Sequence, residues 1–233
     1  MIDFSILTPK VALEFALRWI HFMAGITWIG FLYWFNLVNV NFQKSLEADL
    51  KPKVNPNLIL PSLFYFRWGA VVTVLSGLLY YISILHGEAV SGAWGPLFTW
   101  LVVVGITYAI IFNVTRPEGA LNNGNLLAVI VAVLVAGMSA VLYTLFQKQG
   151  VVTNPAYAIG IGGGIGVIML LNVWGIIWPA QKRLLGLVPL KEGQDKLKLG
   201  RRAFLASRTN AWLSIPMLFF MGVSSHLQLI QWS

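Results

Sequence analysis

Long apolar runs separated by short polar clusters set the pattern of this chain. Six segments reach the ~20 residues that a helix needs to cross the hydrocarbon core of a bilayer: residues 11–40, 61–85, 94–114, 125–146, 155–179 and 209–230. Their apolar positions are continuous and do not alternate. That favours helices over the short alternating strands of a closed barrel, the other structure that can satisfy its backbone inside lipid. The gaps hold turn chemistry, as in Asn55-Pro56-Asn57, Arg116-Pro117-Glu118-Gly119 and Thr153-Asn154-Pro155. The one long polar stretch lies between Gln181 and Arg208. No internal repeat or low-complexity segment divides the chain. The expected fold is therefore one all-α integral membrane domain over residues 1–233, a six-transmembrane-helix bundle.

Composition agrees with this pattern. Of 233 residues, 58% are hydrophobic and 10% charged, against about 25% charged in an average soluble domain. A soluble core of this size could not hide so much apolar surface, whereas a lipid bilayer accepts it on the outward faces. The net charge of +8 sits largely in loops beside apolar spans, so membrane topology explains it and nucleic-acid binding does not. The absence of cysteine excludes disulfides, thiolate metal sites, iron–sulfur clusters and covalent c-type haem attachment. The first apolar run lacks a basic leader and contains Glu14, Arg18 and His21, so it reads as a retained span and not as a cleaved signal peptide.

Lysine and arginine give an orientation. The first interhelical loop holds Lys44, Lys51 and Lys53, the third Arg116, and the fifth Lys182, Arg183, Lys191, Lys196, Lys198, Arg201 and Arg202. The second loop has none and the fourth only Lys148. Odd loops are expected inside and both termini outside, in the periplasm if the protein lies in a bacterial inner (cytoplasmic) membrane. The basic fifth loop is expected to lie on anionic headgroups.

Ionisable groups inside a bilayer are costly and mark candidate sites. The chain has three histidines, His21, His86 and His226, all expected toward the outer side. Gly25 follows His21 by one helical turn, and Gly222 precedes His226 by one turn. The two helices run in opposite directions, so each histidine has a missing side chain one turn deeper on its own face. A flat macrocycle between two imidazoles needs that space, and neutral imidazole is a common axial ligand of haem iron. Arg18 lies on the same face one turn further out, where it suits haem propionates or pairs with Glu14. The stripe Glu14, Arg18, His21, Gly25, Trp28 is expected to face the bundle. The other reading is packing: histidines that hydrogen-bond a neighbouring helix, and glycines that let helices approach.

The remaining features read as membrane structure. His86 is interfacial, Arg67 snorkels toward headgroups, and the five glycines between Gly160 and Gly166 serve close packing, with no phosphate-loop lysine among them. Asn36, Asn39, Asn172 and Asn210 are interhelical glue, and Pro216 kinks the last span. Neither a Gly-x-Ser-x-Gly elbow nor a His-Glu-x-x-His zinc helix is present.

The stretch Arg18-Trp19-Ile20-His21-Phe22-Met23-Ala24-Gly25-Ile26-Thr27-Trp28-Ile29-Gly30 resembles the first helix of the membrane domain of cytochrome c-linked urate oxidases. Phe66-Arg67-Trp68-Gly69-Ala70 and the stretch from Ser207-Arg208-Thr209-Asn210 through Met217 to His226 are similar to the same family. The first-helix pattern also resembles copper-resistance membrane proteins and membrane protoporphyrinogen oxidases. The family resemblance implies a helical membrane bundle coupled to a periplasmic cytochrome c. Family members that oxidise urate carry a C-terminal cytochrome c domain, which this cysteine-free sequence does not contain, so a separate cytochrome or respiratory complex is expected to complete the electron path.

The combined expectation is a bundle with one b-type haem toward the outer face. His21 and His226 are its axial ligands, Arg18 is its propionate partner, and Gly25 and Gly222 give it clearance. Electrons pass between a membrane donor such as quinol and a periplasmic cytochrome or respiratory complex. Its rivals are the membrane component of a urate-oxidising or other oxidoreductase enzyme, a cofactor-free assembly subunit and, last, a transporter.

Overall fold

The computed structural model describes residues 8–88, 92–115 and 123–226. Among these the chain is helical throughout, with no strand. Six helices follow one another: α1 (Pro9–Ser45), α2 (Lys51–Glu88), α3 (Trp94–Val114), α4 (Gly124–Lys148), α5 (Asn154–Leu184) and α6 (Lys196–Val223). Five of them, α1 to α5, are long and apolar enough to cross a membrane. The sixth expected span falls on α6, whose first half carries Lys196, Lys198, Arg201, Arg202 and Arg208. These cations keep its hydropathy below that of the other five, although α6 packs along α5.

Each helix start has a local cause. Thr8 caps α1 from its hydroxyl, with Pro9 in the first turn. Asn123 caps α4, Thr153 caps α5 ahead of Pro155, and Asp195 caps α6. Gly150, at φ 75°, ends α4: its left-handed backbone lets the Val151 N–H reach the Phe146 carbonyl at 3.1 Å.

The expected span over 94–114 matches α3 residue for residue. Elsewhere the helices outrun the apolar runs. Helix α2 begins ten residues earlier than expected, at Lys51, and contains Pro56 and Pro61; the turn read at Asn55-Pro56-Asn57 is helix. Much of the polar stretch between Gln181 and Arg208 is helix as well. The turn read at residues 116–119 and the last part of the sixth span, 227–230, lie outside the described residues.

Helix α5 is the central post. Its glycines let neighbours approach so closely that a methyl group at Gly160 would stand 2.6 Å from the Tyr81 hydroxyl, and one at Gly164 3.0 Å from Val104 Cγ2. Aromatic side chains use the space to reach α5 carbonyls. Trp100 Nε1 donates to Gly160 O at 2.7 Å, Tyr81 Oη to Ala156 O at 3.1 Å and Tyr108 Oη to Leu171 O at 2.9 Å. Close packing by the glycine run is thus the observed arrangement.

Helices α1 and α5 each contain a π-helical segment, Trp34–Asn39 and Val173–Ile177. Such segments often mark functional positions. Amide side chains cluster near both. Asn36 Nδ2 donates to Ser207 Oγ at 2.9 Å, Asn172 Nδ2 to Asn210 Oδ1 at 2.8 Å and Asn210 Nδ2 to Met169 O at 2.9 Å. These asparagines join α1 to α6 and α5 to α6, as interhelical glue. Asn39 instead accepts from Gln43 Nε2, on its own helix, at 3.5 Å.

Candidate functional site

The α1–α2 hairpin positions His21. Small residues one turn apart on α2, Gly69, Thr73 and Gly77, form a shallow channel along which the α1 stripe lies. Trp28 backs onto Gly69, Gly25 onto Thr73 and His21 onto Gly77; Arg18 lies over Tyr80 and Glu14 meets Ser83. The contacts advance up one helix as they descend the other, as antiparallel partners in constant register must. The stripe read from helical spacing therefore does face the bundle, through α2.

The His21 imidazole is held on two sides. Its Nδ1–H donates to the Thr73 carbonyl at 2.8 Å. Its ring lies so close to Gly77 that a Cβ there would stand 2.8 Å from both Cε1 and Nδ1. Because a carbonyl can only accept, Nδ1 carries the proton and Nε2 keeps its lone pair. Fixing one ring nitrogen by a backbone acceptor, and so presenting the other as a base or ligand, is how ligating histidines are commonly oriented. Sequence reasoning missed Thr73 and Gly77. The signal that marks them is the four-residue spacing of small residues at 69, 73 and 77.

Glu14 and Arg18 do not pair with each other. Ser83 Oγ donates to Glu14 Oε1 at 2.5 Å, and Lys10 lies 3.9 Å away. The Arg18 guanidinium sits 5.7 Å from the centre of the Tyr80 ring. Of the two partners open to Arg18, Glu14 is thus engaged elsewhere.

His226 is exposed, in a turn just past the end of α6. The helix ends at Val223, and Ser224 turns its hydroxyl back onto Met221 O at 2.8 Å. No hydrogen bond or ring contact joins His21 and His226 among the described residues. Tyr33 donates to Ser214 at 2.9 Å between antiparallel α1 and α6, the Ser214 proton being spent on Ala211 O. Counted from that bond, His21 lies twelve residues back along α1 and His226 twelve residues on, three past the end of α6. A methyl group at Gly222 would meet nothing within 4 Å, and one at Gly25 would meet Thr73 Cγ2 at 3.7 Å. Deeper on the stripe, Trp28 is 1% exposed with an indole N–H that has no acceptor.

His86 is exposed near the end of α2, its Nδ1–H donating to Ile82 O at 3.0 Å and its ring edge-on to Trp94. No group of three or more histidine, cysteine or acidic side chains is placed to hold a metal ion among the described residues. A two-histidine haem site needs no such group, since the porphyrin supplies the other four ligands.

The fold and this seam define a multi-pass helical membrane protein whose first hairpin presents an oriented imidazole. The chain belongs to the urate oxidase N-terminal family, whose family model matches residues 10–232. The resemblance carried by the first, second and last spans thus extends over nearly the whole sequence. It makes the chain a membrane component associated with urate oxidase-like oxidoreductase systems. No curated protein and no solved structure matches it.

Proposed function

We propose that this chain is a b-type haem electron-transfer component of an oxidoreductase system in the bacterial inner membrane. In this reading six helices cross the bilayer with both termini outside. His21 and His226 supply the axial ligands, and Arg18 faces the propionates. The observation that carries it is the His21 imidazole, locked by Thr73 O and Gly77 so that Nε2 is the nitrogen left to bind. His226, just past the end of α6 and as many residues from the Tyr33–Ser214 bond as His21, is the second ligand in this reading, with Gly25 and Gly222 giving clearance. A bound haem would supply one-electron chemistry, and ligation by two histidines leaves no open iron position for oxygen.

The chain's own residues then have defined tasks. Thr73 O fixes the His21 tautomer, Gly77 admits the ring, and Arg18, free of Glu14, offers a cation to carboxylates at the outer edge. A shallow open groove between α1 and α2, lined mostly by apolar residues such as Ile26, Phe31, Trp34 and Leu58, with Thr27 and Ser62 among them, begins little more than one turn from His21. It suits a quinol as the membrane donor, with a periplasmic cytochrome c or respiratory complex as acceptor.

The test is a reduced-minus-oxidised visible spectrum of the purified protein, repeated on His21→Ala and His226→Ala. A b-type signal in wild-type protein that is lost in both variants is the expected result. A colourless wild-type protein after expression with ample haem would refute the proposal and leave an assembly subunit. The family membership favours one second reading, the membrane component of a urate-oxidising enzyme. Urate-dependent reduction of added cytochrome c by the purified chain would support it.

A further inference from the structure

Away from the His21 seam, toward the lysine- and arginine-rich end of the bundle, Arg67 of α2 lies against two tryptophans of α5. Its guanidinium carbon is 3.4 Å from the centre of the Trp178 ring and 5.4 Å from that of Trp174. Trp68 packs edge-on to Trp174 at 5.6 Å. The side chain folds back toward the start of α2, and Nε donates to Leu63 O at 3.1 Å. The stacked face and Nε are thereby used, but the two terminal nitrogens have no acceptor in the described residues. Lys182 stands one turn beyond Trp178 on the same helix face, so a second cation follows the first. The π-helical segment Val173–Ile177 contains Trp174 and ends just before Trp178.

A guanidinium at membrane depth calls for an anionic partner, and its planar fork suits phosphate oxygens. We propose that Arg67, Trp174, Trp178 and Lys182 form a binding site for the phosphodiester headgroup of an anionic phospholipid from the leaflet facing the basic end of the bundle. The tryptophan rings hold the guanidinium flat and carry the glycerol region, as aromatic residues do at membrane interfaces. The forked N–H groups of Arg67 take the phosphate oxygens, and Lys182 favours a lipid with net negative charge over a zwitterionic one. The site is separate from the proposed haem ligands and does not depend on them.

Native mass spectrometry of the full-length detergent-solubilised protein, with phosphatidylglycerol or phosphatidylcholine added at equal concentration, tests the site. The expected result is one phosphatidylglycerol retained in preference to phosphatidylcholine. Arg67→Gln should lower its occupancy by about tenfold, Arg67→Lys by less because charge persists without the fork, and Lys182→Gln should narrow the preference. Millimolar inorganic phosphate should not displace the lipid. Equal retention of both lipids, unchanged occupancy in a folded Arg67→Gln protein, or displacement by phosphate would each overturn the proposal, the last by making this a free-anion site. If Arg67→Gln does not fold, the wild-type lipid preference and the Lys182→Gln variant decide. Neither of these readings changes if the protein proves to hold no haem.

Discussion

Replacing Gly77 by alanine tests the central geometric claim about His21. The new Cβ would stand 2.8 Å from His21 Cε1 and Nδ1, against the ~3.5–4.0 Å of an ordinary carbon contact. The ring must retreat by roughly 0.7 Å, and a retreat of that size stretches a 2.8 Å hydrogen bond to Thr73 O to the limit of the range in which such bonds hold. Overpacking costs about 1–3 kcal/mol and the lost bond about 1 kcal/mol, while alanine in place of glycine inside a helix returns about 1 kcal/mol. The net expectation is destabilisation by about 1–3 kcal/mol. In a His21→Ala background the obstacle is gone and only the helix term remains, so the same substitution should be neutral or stabilising. A double-mutant cycle from reversible unfolding in mixed micelles reads the difference, expected at about 2–4 kcal/mol. Equal effects of Gly77→Ala in the two backgrounds would refute the packing of His21 on Gly77.

Three further expectations follow from neighbouring contacts. Gly25→Ala meets only Thr73 Cγ2, at an ordinary 3.7 Å, so it should leave the unfolding midpoint nearly unchanged while altering the difference spectrum if Gly25 gives clearance to a haem. Asn210→Leu removes both the bond from Asn172 and the bond to Met169 O and should cost about 1–2 kcal/mol, checked by unfolding in micelles. Tyr81→Phe should cost about 1 kcal/mol through the lost bond to Ala156 O. It should also partly rescue Gly160→Ala, because the hydroxyl 2.6 Å from the new methyl group is gone; absence of rescue would show that Phe146, at 3.2 Å, decides the fit.

What the sequence made legible divides along physical lines. Continuous apolar runs report apolar helices, so the helical class and the bodies of α1 to α5 were readable, and at α3 the bounds as well. Helix ends outside the apolar run were not. Pro56 reads as part of a turn and Pro61 as the start of a span, but both lie within α2, and the basic start of α6 reads as loop although Asp195 caps it. Helical spacing also found the stripe from Glu14 to Trp28, because its members share one face. The acceptor and floor of His21 lie on α2, and only pairing of the two helices reveals them. The stacking of Arg67 on Trp178 joins positions more than a hundred residues apart and leaves no local trace. Sequence spacing placed His226 at the outer end of its helix, whereas α6 ends at Val223 and His226 lies exposed in the turn that follows.

The constant register of α1 against α2 bears on how the protein is made. Membrane helices emerge from the ribosome in order, and the first two already contain everything that orients His21. Its hydrogen-bond acceptor is 52 residues downstream, and the glycine beneath its ring is one turn further. The imidazole is set as soon as this hairpin closes in the membrane, while α3 to α6 are still to be synthesised. Orientation of this imidazole thus needs nothing from the later helices, and a truncated chain that lacks α6 should still present His21 in its final pose.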